Sequence, residues 1–538
     1  MGRPVKQAGA ETGSAVARSC RRGAIIVAVV AVVAAIGVGV AWAAAAAPGS
    51  APDDDFHLAS IICAGPMPHG ECSPATGAPR LGTRYVNVRS GVSPCFAFHP
   101  EQSAACLQQR EGQARLVAQR ANDGLYPPLY YVVAHAFVGM GVEGTVFGIR
   151  VLNILLAVAM IAATAACSLP RYRGPLLISW LVTLIPMSLF LLGSTNPSAW
   201  ALIGVGTVWA SLATFLDPAT TGRRLIAAGA LAALSAAIAA GARADAAAYV
   251  ALVSVAVVVL ARRPVRAAGA RLVLPLGIVV ACTLTYLSVQ QTAALSDGFE
   301  QTYPQRALGP LFLYDIVRLP RLWLGAFGMW SLGWNDLPMP RLVELLATAA
   351  VLVALAIGLR TMWRRKALAL GILGLALVVL PMDVLLQGHY RVGEQVNPRY
   401  LLPLIIVVVG IALVPRPGQT LVLDRRLGAG LAAALTVAAS LALHATIRRY
   451  VTGTRVGGFD LDAGRTWWWS TSITPMAIWA LGSVAFAVLA GTVLVALPLS
   501  CGSRSDSDPR ATRMTKGRDV QSGDEGYGAA HSTPGWMR

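Results

Sequence analysis

Three consecutive carboxylates, Asp53, Asp54 and Asp55, stand directly after a long apolar run, and His57 follows two residues later. A carboxylate so placed can take a proton from an attacking hydroxyl, while a neighbour steers a metal or a phosphate-bearing donor. The same acids would also make a solvated cap on a membrane-crossing helix, and spacing alone does not choose between the two. Three further polar clusters could converge with them: Ser194 to Ser198 around Asn196, Arg243 with Asp245, and the stretch from His389 to Tyr400 with Arg391, Glu394, Asn397 and Arg399. The planar fork of arginine suits phosphate oxygens. Each cluster also reads as a polar turn between two helices.

His57 could ligate, donate to a phosphate or be solvated. The other histidines (His69, His99, His135, His389, His444, His531) show no His-x-x-x-His spacing, and no Cys-x-x-Cys occurs, so a zinc site is not expected. Neither a Gly-x-Ser-x-Gly elbow nor a P-loop nor a dinucleotide fingerprint is present. That weighs against an ATP-driven machine and a soluble-type hydrolase. Whether a divalent cation assists the acids is left open.

The elements that must position these residues are membrane spans. Of 538 residues, 55% are apolar and 13% charged, with mean hydropathy +0.60, more apolar surface than a soluble chain could hide. Apolar runs long enough to cross a bilayer fall at about 24–46, 145–167, 175–192, 197–216, 225–241, 246–261, 272–289, 342–359, 367–386, 399–414, 428–446 and 475–498. The expected fold class is therefore an all-α polytopic membrane protein of about 12 transmembrane helices.

A net charge of +18 would suggest nucleic acid in a soluble protein, but here it reports topology. Five short connections (168–174, 217–224, 262–271, 360–366 and 415–427) hold fifteen Lys and Arg against two acids, Asp217 and Asp424. The positive-inside rule makes these loops cytoplasmic, together with the N-terminal segment 1–23 and a disordered tail, 501–538, in a multi-pass plasma-membrane protein. The first span reads as an uncleaved signal anchor rather than a signal peptide, because its apolar core is too long.

The polar mass then faces outward, in the first extracytoplasmic loop (47–144), a second long loop (290–341) and a third (447–474). The first is expected to contain a helical stretch near 101–121 and a segment up to Met140 lying along the membrane surface. The second holds an interfacial helix within 308–334. Four of the eight cysteines (Cys63, Cys72, Cys95, Cys106) lie in the first loop, where oxidation is permitted, so two disulfides with three possible pairings are expected. Arg150, Glu344 and Asp383 sit toward the outward ends of their spans, and the span centres carry no charge, which weighs against an ion-coupled pump.

Four motifs carry a resemblance: Pro52-Asp53-Asp54-Asp55-Phe56-His57, Tyr126-Pro127-Pro128-Leu129-Tyr130-Tyr131, Gly193-Ser194-Thr195-Asn196-Pro197-Ser198-Ala199-Trp200, and Arg399-Tyr400-Leu401-Leu402-Pro403. By these the chain resembles, over about residues 24–500, the bacterial membrane-protein family known as domain of unknown function 2142 (DUF2142), which is itself similar to the GT-C membrane glycosyltransferases. Asp54 stands where the family carries Glu, and Gln395 lies farther from Arg399 than in the family's pattern. The resemblance implies a GT-C-like fold, a polyprenyl-phosphate sugar donor and catalytic roles for Asp53 and Asp54. His57, Asn196, Arg243, Asp245, Arg399 and Tyr400 would bind substrate, and the partners would be a lipid-linked sugar, an envelope glycan acceptor and membrane lipid. The expected function is thus sugar transfer on the extracytoplasmic face in cell-envelope glycan assembly. The alternative is a transporter or flippase for lipid-linked saccharides, or a non-catalytic membrane partner.

Overall fold

The computed structural model describes residues 6–65, 72–74, 83–87, 94–111, 116–261, 269–289 and 305–496. The polar tail 501–538, most of the basic connection 262–271 and the start of the second long loop, 290–304, lie outside the described residues, as do residues 1–5.

The protein is an all-α polytopic membrane protein. Among the described residues, ten helices are long and apolar enough to cross a bilayer, and two shorter apolar helices, Ala244–Leu260 and Leu402–Leu413, stand with them. The first helix runs from Lys6 to Ala45, continuous with the N-terminal segment, and packs along the helix Pro475–Gly491. At the centre, the helix Ser198–Leu216 is buried over nearly its whole length. It packs against Gly222–Ala240 through small residues. A Cβ on Gly204 would collide with the Ser235 carbonyl oxygen, so only glycine permits this approach. Beside it, the Thr207 and Ser235 hydroxyls bond at 2.9 Å, satisfying two polar groups inside the bundle.

The charge inside the second span has a structural task. Arg150 is fully buried within the first half of the helix Gly141–Cys167. Its guanidinium donates to the carbonyls of Ala43 (2.7 Å), Ala46 and Ala47 (2.8 Å). Ala43 lies in the last turn of the first helix, whose carbonyls have no partner within the helix, and Ala46 and Ala47 follow its end, where a cation also complements the helix dipole.

The basic connections do similar work at the opposite end of the bundle. Arg271 bonds the carbonyls of Asp217 (2.8 Å) and Thr220 (2.9 Å), Arg173 that of Ala165 (2.8 Å), and Lys366 those of Gly358 (2.8 Å) and Val414 (3.0 Å).

The loop after the first span differs in part from the sequence reading. Instead of a helix over 101–121 there is a short one, Cys106–Glu111, followed by a strand, Leu116–Arg120. This strand pairs antiparallel with Thr83–Asn87, which pairs antiparallel with Cys72–Pro74, in a three-stranded sheet. Val117 opposite Val86 favours pairing over helix. The segment before Met140 is helical only over Leu129–His135, which buries Tyr130, Tyr131 and Ala134 against the rest of the protein and leaves Leu129 and Val132 exposed. Disulfides join Cys63 to Cys72 and Cys95 to Cys106, which resolves the three pairings. The helix Leu308–Arg318 buries Leu311 and Asp315 and leaves Leu308, Phe312, Leu313 and Val317 exposed, the split face of a helix lying in a membrane interface.

Candidate functional site

The acidic triplet starts the helix Asp54–Ile62, and the chain turns sharply into it. Asp53 is the N-cap with φ 62° and ψ 17°, a left-handed conformation that Asp tolerates better than most residues. Its side chain makes no capping bond. It reaches across to Arg399 and pairs with that guanidinium. The Asp53 carboxylate remains 41% exposed while the Arg399 side chain is 5% exposed, so the acid is open to solvent and the arginine is fixed behind it.

The turn sends the next acid inward. Asp54 is fully buried, accepting from the Ala51 backbone N–H (3.0 Å) through one oxygen and from the Thr195 hydroxyl (2.8 Å) through the other. Of the two acids expected to act as a pair, only Asp53 is thus open to a ligand. Asp54 ties the start of this helix to the turn 193–198. Asn196 reinforces the tie: its amide donates to the Pro52 carbonyl at 2.8 Å and its oxygen accepts from the Ser198 N–H at 2.9 Å. Arg399 also reaches the Pro52 carbonyl, at 3.4 Å.

One turn along, His57 is buried in a shell of aromatic rings from Phe56, Tyr126 and Tyr131. Its Nδ1 bonds the Tyr131 hydroxyl at 2.9 Å, and its Nε2 is buried with no hydrogen-bond partner. Such an atom in a polar cluster is a reserve for a ligand. Arg243 completes the group. It caps the helix Ala244–Leu260, binds Asp245 through two 2.9 Å bonds and lies over the rings of Tyr126 (5.5 Å) and Tyr400 (5.2 Å). The Tyr400 hydroxyl accepts from Arg399 at 2.9 Å. Asp53, His57, Arg243, Arg399 and Tyr400 therefore form one cluster at the end of the bundle opposite the basic connections, with Asp54 and Asn196 beneath it and Asp245 beside Arg243.

The electrostatics divide the acids further. Burial works to raise Asp53, but the Arg399 and Arg243 guanidiniums outweigh it and hold its carboxyl below the usual range. Burial drives Asp54 up to about 7, against the pull of Arg150 and Thr195. Burial also raises Asp55, with Asp53 adding to the effect. Burial lowers His57 to about 3, so the imidazole is neutral at neutral pH, and pushes Tyr126 up to about 12.

A group whose folded pKa is raised stabilises the fold below its unfolded value of 3.8 and loses that contribution as pH rises through about 7. Replacing Asp54 with Asn removes this loss. The variant's melting temperature relative to wild type should rise steadily between pH 4 and pH 8, as followed by thermal unfolding in detergent.

Spacing did not expose the roles of Tyr126, Tyr131 and Thr195, although all three fall in the quoted motifs. Among the described residues no three His, Cys, Asp or Glu side chains gather closely enough to hold a metal ion. With Asp53 held by Arg399 and both Asp54 oxygens occupied, the two acids form no ready cation site.

A family model described as "Predicted membrane protein (DUF2142)" matches residues 36–408. The chain belongs to the DUF2142 family. The DUF2142 match takes in every residue of the cluster, from Asp53 to Tyr400, and stops before the last two spans. No curated protein matches the chain. Among solved structures, ArnT from Cupriavidus metallidurans in the apo state is similar at 15% identity and a TM-score of 0.33, over 69% of this chain and 67% of that one.

Proposed function

We propose that this DUF2142 protein is a membrane glycosyltransferase that takes a sugar from a polyprenyl-phosphate donor and passes it to an acceptor on the extracytoplasmic face. The carrying observation is the pairing of a solvent-open Asp53 with a buried Arg399 beside Arg243 at the membrane edge. Two fixed guanidiniums offer phosphate oxygens the donors they need. In the resting site each guanidinium is balanced by a carboxylate, Arg399 by Asp53 and Arg243 by Asp245. A donor phosphate arriving at Arg399 competes with Asp53 for it. Once displaced, Asp53 loses the contact that most depresses its proton affinity and becomes a better acceptor for the proton of an attacking hydroxyl. The buried Nε2 of His57 is a second polar atom available to the donor or acceptor.

The motif resemblance to GT-C enzymes supports this reading, and so does the side of the bundle: the cluster lies opposite the loops that the positive-inside rule assigns to the cytoplasm. Reporter fusions after Arg173 and Arg365 should read cytoplasmic, and fusions in the connections at 123 and 455 should read outside. A reversed pattern would remove the outward site. In cells, deletion of the gene should alter an envelope glycan, and wild-type chain, but not Asp53→Asn, should restore it. An unchanged glycan in the deletion strain would count against a role in envelope assembly.

A further inference from the structure

At the end of the bundle opposite Asp53 lies a cavity of about 260 Å³, whose lining includes Arg171, Arg364 and Arg365 together with Leu260, Val414 and Pro415. Its size is near the lower limit for ligand cavities, about 300 Å³. Trp363 and Tyr172 stand at its edge, as aromatic rings do at membrane interfaces. The arginines are not equivalent. Arg171 has its charge balanced by Asp217, and Arg365 donates to the Ala261 carbonyl. Among the described residues no carboxylate pairs with Arg364, which is exposed at the first position of the helix Arg364–Gln387.

We propose that this cavity binds the phosphodiester headgroup of an anionic glycerophospholipid. Three observations converge on that ligand. Positive charge is concentrated where the backbone carbonyls that would repel an anion are already occupied, Ala261 by Arg365 and Val414 by Lys366. The helix cap, Trp363, makes no side-chain bond to the first-turn N–H groups of Arg364–Gln387, and a helix start favours an anion. The wall of Leu260, Val414 and Pro415 gives apolar surface to a molecule that continues from its phosphate into glycerol and acyl chains, which a soluble phosphate could not use. The proposal does not rest on sugar transfer, and its test is a binding measurement.

The full-length chain in detergent is titrated with phosphatidylglycerol or with phosphatidylcholine, and retained lipid is counted by native mass spectrometry. Phosphatidylglycerol should be retained in preference. Arg364→Glu should weaken that retention about tenfold, and Arg364→Gln by a smaller factor in the same direction. Arg425→Glu makes the same charge change at the exposed start of another helix outside the cavity, and should retain the lipid as wild type does. Equal retention of the two lipids would overturn the proposal. So would an equal loss in Arg425→Glu, which would mean diffuse attraction to the basic surface. If inorganic phosphate at millimolar concentration displaced the lipid, the ligand would be a free anion and the lipid assignment would fall.

Discussion

Asp53→Asn should lower sugar transfer by about 10²–10⁴-fold, the usual share of general acid–base catalysis. The substitution is chosen for its backbone. Asn is one of the few residue types that enter the left-handed region readily, so the turn at φ 62° survives while the proton acceptor is lost. Asn also keeps a side-chain oxygen that can accept from the buried Arg399, so the unfolding temperature should fall far less than the activity, which separates a chemical defect from a folding one. Asp55→Asn should transfer sugar nearly as well as wild type, because the resemblance gives it no role. Arg399→Lys keeps the charge and loses the planar fork. It should therefore raise the donor concentration needed for half-maximal rate more than it lowers the maximal rate. Initial rates over a range of donor concentrations, for all three variants, read these effects directly.

Asp336→Ala should be the most destabilising single change, at about 3–5 kcal/mol, the cost of leaving a buried charge without its partner. Arg449 has no solvent exposure and Asp336 only 2%, and they pair at 2.6 Å. The same guanidinium donates to the carbonyls of Gln102 (2.6 Å) and Phe96 (2.9 Å), inside the loop closed by the Cys95–Cys106 disulfide. One arginine at the end of the helix Arg425–Val451 thus fastens two outer segments, and losing its counter-charge should loosen both. Asp336→Asn, which keeps an oxygen for the bond, should cost less. Chemical unfolding in detergent, followed by tryptophan fluorescence, measures both.

How far the sequence alone reaches depends on the physics of each feature. Polar residues at the ends of apolar runs are costly, so Asp53, Arg243 and Arg399 stood out, and the structure brings them together. The spans were legible for the same reason: hydropathy over about twenty residues leaves few alternatives. The strand Leu116–Arg120 was not legible, because its partner Thr83–Asn87 lies more than twenty residues away and a five-residue stretch with only three apolar residues fits helix or strand equally. Nor could spacing divide the labour between Asp53 and Asp54. A single left-handed residue turns one outward and the other in toward Thr195. The Arg449–Asp336 pair spans 113 positions, and no local pattern announces it. Tyr126 and Tyr131 looked like parts of an aromatic motif, and their enclosure of His57 appears only once the loop is folded.

The central claim is that a polyprenyl-phosphate donor meets Arg399 and frees Asp53 to act. Purified full-length chain, supplied with polyprenyl-phosphate sugars and envelope glycan acceptors, tests it most directly. The account predicts release of polyprenyl phosphate matched by sugar on the acceptor in wild type, with that release lost in Asp53→Asn although the variant still binds donor. Equal turnover by wild type and Asp53→Asn, or folded wild-type chain that turns over no donor at all, would contradict it.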